Sequence, residues 1–244
     1  MKILGIIPVR MSSTRLPGKP LADINGKTMV QRVYEQAKKS KYITELIVAA
    51  DEKKIVDTVL NFGGNAILTS KKHKSGTDRI CEVIDYIPCD FAVNIQGDEP
   101  MIPPSNIDKA ILPMINGSLV DVSTLAIQIK DVKEISNPNN VKVVFDNNFR
   151  ALYFSRSVIP YNRDAKVNMR YYKHIGLYVY RAAVLKEFRN LNQSKLEKAE
   201  KLEQLRFLEN DFNILVGLTN RNSTGVDTLE DLENIRKFFK KLNK

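Results

Sequence analysis

The run Arg10-Met-Ser-Ser-Thr-Arg-Leu-Pro-Gly-Lys-Pro20 sets three cations, Arg10, Arg15 and Lys19, among three hydroxyls that include Ser12. Guanidinium groups match phosphate oxygens as a fork, and an ammonium adds a compact point charge. Gly18 lets the main chain approach a ligand, while Pro17 and Pro20 stiffen the turn. The chemistry on offer is polyphosphate binding; the plainer reading is a solvated basic loop. Asn94-Ile-Gln-Gly-Asp-Glu-Pro100 presents adjacent carboxylates, Asp98 and Glu99, behind a sharp turn at Gly97. Carboxylates repel a polyphosphate unless a divalent cation stands between them, and Mg²⁺ takes one or two carboxylates plus phosphate oxygens. A turn with helix-capping acids is the alternative. Ser223-Thr-Gly-Val-Asp-Thr228 adds Asp227, either a second metal ligand or the N-cap of the last helix, with Gly225 allowing another close approach. In Lys74-Ser-Gly-Thr-Asp-Arg79, residues Ser75, Gly76, Thr77 and Arg79 either meet a base, ribose or phosphate, or simply cap a helix.

A second group lies later in the chain. Tyr153-Phe-Ser-Arg156 ends a strand with a cation. Alternation along 174–180 puts His174, Gly176, Tyr178 and Tyr180 on one face and Ile175, Leu177 and Val179 on the other. The first face either lines a sugar pocket or holds a satisfied structural histidine. On a helix over 196–208, Glu200, Glu203, Gln204 and Phe207 fall near one side. That side is a solvated Glu/Lys face, or its Glu203-Gln204 pair binds hydroxyls.

These residues need a frame. Segments 3–8, 43–50, 66–68 and 91–95 read as strands; 28–39, 51–61 and 77–86 read as helices, the second with Ile55, Val56, Val59 and Leu60 inward. The order β-α-β-α-β-α-β predicts a parallel sheet with helices on both faces. Open α/β sheets bind ligands beyond the carboxyl ends of their strands, which is where the loops at 10–20 and 94–100 fall. Strands at 121–129, 141–145, 151–155 and 175–180 follow, with a tight turn at Asn147-Asn148 between the middle two. A helix over 228–239 closes the chain. The predicted architecture is a Rossmann-like α/β three-layer sandwich with a mixed, mostly parallel sheet and a smaller subdomain around 120–220.

Composition narrows the classes. The 244 residues are 43% hydrophobic and 27% charged, ordinary globular values, and 38 basic against 28 acidic residues leave a net charge of +10. That charge suits an anionic partner. The basic residues are spread along the chain and no nucleic-acid-binding motif appears, which speaks against DNA or RNA. No apolar stretch is long enough to span a bilayer, so no membrane partner is expected. Residues 2–9 loosely resemble a signal peptide, but the run is short and Arg10 follows it without a small-residue cleavage site. Cys81 and Cys89 form no C-x-x-C pair. The chain reads as cytoplasmic with reduced thiols. Gly26-Lys27-Thr28 imitates the end of a P-loop, but Leu21 stands where that motif needs glycine, and no G-x-G-x-x-G exists.

Arg10-x-x-Ser-Thr-Arg-Leu-Pro-Gly-Lys-Pro-Leu21, Ser75-Gly-Thr77, Asn94-x-Gln-Gly-Asp-Glu-Pro100, Asn137-Pro-Asn-x-Val-Lys-Val143, Ala151-Leu-Tyr-Phe-Ser-Arg156, His174-Ile-Gly-Leu-Tyr178, Leu202-Glu-Gln-Leu-Arg206 and Gly225-Val-Asp-Thr228 occur in that order. Together they resemble the 3-deoxy-manno-octulosonate (Kdo) cytidylyltransferases, or CMP-Kdo synthetases. Met11-Ser12-Ser13 replaces the G-x-G opening of broader sugar nucleotidyltransferases. The resemblance implies a nucleotide-diphospho-sugar transferase fold with a nucleotide-binding half over 1–120, a sugar-binding and dimerisation part over about 121–220, and a return to the core over 221–244. It implies attack of the anomeric hydroxyl of Kdo on the α-phosphate of CTP, giving CMP-Kdo and pyrophosphate for lipopolysaccharide synthesis. Arg10, Ser12, Arg15 and Lys19 would hold the triphosphate, and Ser75, Gly76, Thr77 and Arg79 the rest of the nucleotide. Asp98 and Asp227 would hold Mg²⁺. Arg156 would pair with the sugar carboxylate, with Gln96, His174, Tyr178, Glu203 and Gln204 around its hydroxyls. A homodimer is implied too. The alternative substrate is another acid sugar, an amino-Kdo or a nine-carbon ulosonate. The chain departs from the family pattern at Lys195, where proline is expected, in the basic turn Lys71-Lys-His-Lys74, and in a short loop at 164–173.

Overall fold

The computed structural model describes residues 1–12, 15–73, 75–117, 119–164 and 167–242. Ser13, Thr14 and Lys74 from the motifs above lie outside the described residues. The strands are β1 (Ile3–Val9), β2 (Asp23–Ile24), β3 (Lys27–Thr28), β4 (Glu45–Ala50), β5 (Ala66–Leu68), β6 (Phe91–Asn94), β7 (Val122–Gln128), β8 (Lys142–Phe145), β9 (Ala151–Ser155), β10 (Tyr172–Arg181) and β11 (Ile214–Thr219). The helices are α1 (Met29–Ala37), α2 (Lys53–Asn61), α3 (Gly76–Tyr86), α4 (Pro104–Ile115), α5 (Val132–Ser136), α6 (Ala182–Phe188), α7 (Lys195–Glu200), α8 (Gln204–Leu208) and α9 (Leu229–Leu242). The chain forms two compact units, Met1–Asp108 with Ser223–Lys244, and Lys109–Asn222.

In the first unit β1 pairs in parallel with both β4 and β6, and β4 with β5. A strand flanked on both sides and covered on both faces must be apolar throughout, and β1 is. Its Pro8 lies past the last β6 pair, Ile6↔Asn94, so the missing N–H costs no ladder bond there. Helix α1 starts on the Thr28 hydroxyl, which accepts from Gln31 N–H, and buries Met29, Val30, Val33, Tyr34 and Ala37. Helix α2 buries Ile55 and Val59, but Leu60 is exposed, contrary to the sequence expectation. Helix α3 opens with a reciprocal capping box between Ser75 and Asp78. Helix α9 returns to a core of Leu16, Ile24, Met29, Val226, Leu232, Ile235 and Phe239, which ties the end of the chain beneath the loop at 10–20.

The second unit is mixed. β7 pairs in parallel with β11 and antiparallel with β10; β10 pairs with β8, and β8 with β9. The mixed, mostly parallel α/β reading therefore holds. The β8–β9 connection turns at Asn147-Asn148 as expected, with Phe149 N–H donating to Asp146 O at 3.0 Å across the pair. Phe145 pairs with Ala151, and in the loop between them the Asp146 carboxylate accepts from Asn148 and Arg150 N–H while Phe149 takes φ +61°. β10 carries a bulge between Ile175 and Tyr178, where three steps on one strand match one on β7. Two extra residues preserve the alternation, so His174, Tyr178 and Tyr180 stay on one face.

The helix expected over 196–208 is two helices. Lys201 is left-handed at φ +56° and ends α7. The physical reason lies in Glu197 and Arg206. Nine residues apart on a straight helix they would point to opposite sides. After the break they form a buried bidentate pair with N···O distances of 2.7 and 2.8 Å. Lys195 occupies the first helical position, where proline is favoured, and the Ser194–Glu197 capping box starts α7 without it.

Candidate active site

A cavity of about 310 Å³ opens beyond the carboxyl ends of β1 and β6 in the first unit. Arg10, Arg15, Lys19, Ser75, Gly76, Arg79, Gln96, Asp98 and Asp227 line it. Ser12 is exposed and does not line it, while Thr77 is buried beneath the first turn of α3 and does not line it either.

Lys19 stands at the centre. Its Nζ lies 2.7 Å from Asp98 Oδ2 and 3.0 Å from Asp227 Oδ1, and Arg15 Nη2 lies 3.1 Å from Asp227 Oδ2. Burial would lower the Lys19 pKa, but the two carboxylates outweigh it and hold the ammonium above the usual lysine value. Asp227 is not the cap of α9. Asp231 and Thr228 cap each other, with Asp231 also accepting from Asp227 and Thr228 N–H, so the Asp227 carboxylate is left to face Lys19 and Arg15. Asp98 and Asp227 come from distant parts of the chain. Val226 N–H donates to Asp98 O at 2.9 Å, and the Ser223 hydroxyl donates to the buried Glu99 carboxylate.

Two glycines earn their places differently from the sequence reading. Gly18 is left-handed at φ +69° with open space around it, so its conformation, not a close approach, excludes other residues. At Gly97 a Cβ would lie 2.5 Å from Val9 Cγ1 and 3.0 Å from Pro8 O. The loop therefore presses against the end of β1. Gly97→Ala is expected to lower stability by about 1–3 kcal/mol through overpacking and to displace Asp98. Thermal melts and turnover should both fall; unchanged values in both would show that the loop yields without consequence.

Sequence reasoning missed three supports. The Asp51 carboxylate, buried after β4, accepts Met11 N–H at 2.9 Å and anchors the loop at 10–20. His73 lines the cavity and is held by Glu82. Burial would raise the Glu82 pKa, but Ser70 N–H, His73 and Arg79 together hold the carboxylate below its usual range. Only the basic composition of 71–74 hinted at this turn. Arg79 donates to Thr69 Oγ1 and Ser70 O, which fixes its guanidinium from behind.

The donor set suits Mg²⁺. Asp98 and Asp227 offer hard oxygens gathered on one cation, and among the described residues no three His, Cys, Asp or Glu side chains form a closed cage. An ion that keeps two carboxylates and completes its shell with phosphate oxygens and water fits such a half-site.

Arg156, His174, Tyr178, Glu203 and Gln204 belong to the second unit. His174 Nε2 lies 3.0 Å from Thr124 Oγ1, between the rings of Phe154 and Tyr178. Burial lowers its pKa to about 3, so it is neutral. Tyr178 stacks with Tyr180, and its buried hydroxyl has no hydrogen-bond partner among the described residues. Gln204 is buried at the start of α8, and Glu203 stands 3.8 Å from Arg206.

Comparison with known proteins follows the same lines. The family model described as Cytidylyltransferase matches residues 4–214. The 3-deoxy-manno-octulosonate cytidylyltransferase of Francisella tularensis subsp. holarctica (strain FTNF002-00 / FTA) is 49% identical, with 96% of this chain and 97% of that protein covered. The protein of the same name from Solibacter usitatus (strain Ellin6076) is 48% identical, with 98% and 95% covered. The solved structure of CMP:2-keto-3-deoxy-manno-octonic acid synthetase complexed with CTP matches with a TM-score of 0.95 at 42% identity, over 99% of this chain and 100% of that one. With nearly the whole chain covered at close to half identity, this protein belongs to the 3-deoxy-manno-octulosonate branch of the cytidylyltransferase family.

Proposed function

We propose that this protein activates Kdo with CTP, forming CMP-Kdo and pyrophosphate. The observation that carries the reading is the contact of Lys19 with both Asp98 and Asp227 in a cavity that Arg10, Arg15 and Arg79 also line. CTP and an acid sugar bring about five negative charges together, and cations must offset them before any bond changes. Arg10, Arg15 and Lys19 bind the triphosphate and stabilise the charge that develops on the leaving pyrophosphate. The first turn of α3, at Ser75 and Gly76, offers a helix dipole to the nucleotide, with Arg79 behind it. The second unit's Arg156, His174, Tyr178, Glu203 and Gln204 receive the sugar. Arg156 takes the carboxylate, and the orphan Tyr178 hydroxyl and neutral His174 serve hydroxyls. Asp98 and Asp227 would hold Mg²⁺. When bound, the ion lowers the pKa of an attacking hydroxyl and orients phosphates.

In this reading the first unit is the nucleotide-binding half and the second the sugar-binding and dimerisation part. The enzyme works as a homodimer in the cytoplasm. No helix of the described residues is long and apolar enough to cross a membrane. The deciding experiment is pyrophosphate release with CTP and Kdo, with and without Mg²⁺, beside an amino-Kdo and a nine-carbon ulosonate. Mg²⁺-dependent release that is fastest with Kdo is expected. A faster rate with another acid sugar would reassign the substrate, and no release with any of them would overturn the reading.

A further inference from the structure

The motif Asn137-Pro-Asn-x-Val-Lys142 has no role in the scheme above, yet it contains the least ordinary group in the second unit. Lys142 is fully buried, and among the described residues its ammonium has no carboxylate within ion-pair distance. A buried charge without a counter-ion is costly unless its donors are all used. Lys142 Nζ donates to three main-chain carbonyls, Asn137 O at 3.0 Å, Asn140 O at 2.6 Å and Arg156 O at 2.6 Å, the full complement of an ammonium. Glu200 grips the same residue from its other end. Its carboxylate accepts Arg156 N–H at 2.9 Å and the Ser155 hydroxyl at 2.5 Å. The guanidinium is aimed by the same two elements. Arg156 Nε donates to Glu200 O at 2.9 Å, and Nη1 to Pro138 O at 3.1 Å, inside the loop that Lys142 holds. Among the described residues no acid pairs with the guanidinium, so its charge is oriented by carbonyls and left for an incoming anion.

We propose that Lys142 and Glu200 are positioning residues that clamp the main chain of Arg156 from both sides and set its guanidinium for the carboxylate of the acid sugar. The proposal rests on the reading that Arg156 binds that carboxylate. A purely structural lysine would stabilise the β8–β9 hairpin without favouring either substrate. A positioning lysine acts on one substrate alone and only through Arg156.

The test uses the full chain with Lys142→Met, Glu200→Gln, Arg156→Ala and the double variant Lys142→Met/Arg156→Ala. Pyrophosphate release gives KM separately for Kdo and for CTP, and melts report folding. Lys142→Met and Glu200→Gln should each raise the KM for Kdo by about tenfold, as expected for a disrupted buried hydrogen-bond set, and leave that for CTP within about twofold. In the Arg156→Ala background, Lys142→Met should change the KM for Kdo by less than about twofold, because the two residues act as one unit. Equal losses toward both substrates, or an undiminished Lys142→Met effect without Arg156, would overturn the clamp. Should Lys142→Met fail to fold, Glu200→Gln carries the test, and an unchanged KM for Kdo there overturns it. If Arg156→Ala itself leaves the KM for Kdo unchanged, the carboxylate reading fails. If Arg156→Ala raises it but neither clamp variant does, that reading stands and the clamp fails.

Discussion

Lys19→Met is expected to lower kcat/KM for pyrophosphate release by on the order of 10²–10³-fold, the cost of removing one well-placed donor from a developing anion. The Lys19 side chain is only 16% exposed and its ammonium touches both aspartates. Methionine nearly matches the lysine stem in volume but leaves Asp98 and Asp227 facing each other without their shared cation. Two consequences follow. The leaving pyrophosphate loses a positive partner, and the carboxylates repel both one another and the triphosphate. Lys19→Arg keeps the charge but presents a planar fork where one compact ammonium now meets two carboxylates, so it should recover only part of the rate. Single-turnover measurements with CTP in excess separate this from weakened binding. A variant that keeps the wild-type rate would remove Lys19 from the chemistry.

The parallel half was legible because its signals are local. β1 is apolar at nearly every position, Thr28 and Ser75 announce their helices, and Gly63 ends α2 at φ +79°. The loop at 10–20 was legible as a candidate anion site because it sets three cations on one short turn after the first strand. What stayed hidden depends on partners far along the chain. The break at Lys201 serves the Glu197–Arg206 pair, and nothing in the local Glu/Lys pattern distinguishes it from a continuous helix. Asp51 and Glu99 are buried polar residues that meet groups far away in the chain, Met11 N–H and the Ser223 hydroxyl, so no window of sequence around them shows their role. Gly97 read as a turn glycine, but its neighbour is the carbonyl of Pro8, about ninety positions earlier by residue number. For Asp227 the sequence left capping and ligation level. The Thr228–Asp231 pair does the capping itself, which leaves the Asp227 carboxylate to Lys19 and Arg15.

Asp98→Asn isolates charge from shape. An asparagine there keeps the volume and an acceptor for Lys19, and the main-chain bond from Val226 N–H to Asp98 O is untouched. Melting should therefore shift little. Turnover should fall by more than about a hundredfold, beyond what loss of a merely supporting partner of a metal ligand costs. A neutral amide is a much poorer ligand for a hard divalent cation than a carboxylate. The Mg²⁺ concentration giving half-maximal rate should rise in parallel, since Asp227 alone would remain to hold the ion. The opposing outcome is specific: a folded Asp98→Asn protein with near-normal rate and unchanged Mg²⁺ dependence. In that case Asp98 would serve only to neutralise Lys19, and the carboxylate pair would be a structural ion-pair network instead of a cation site.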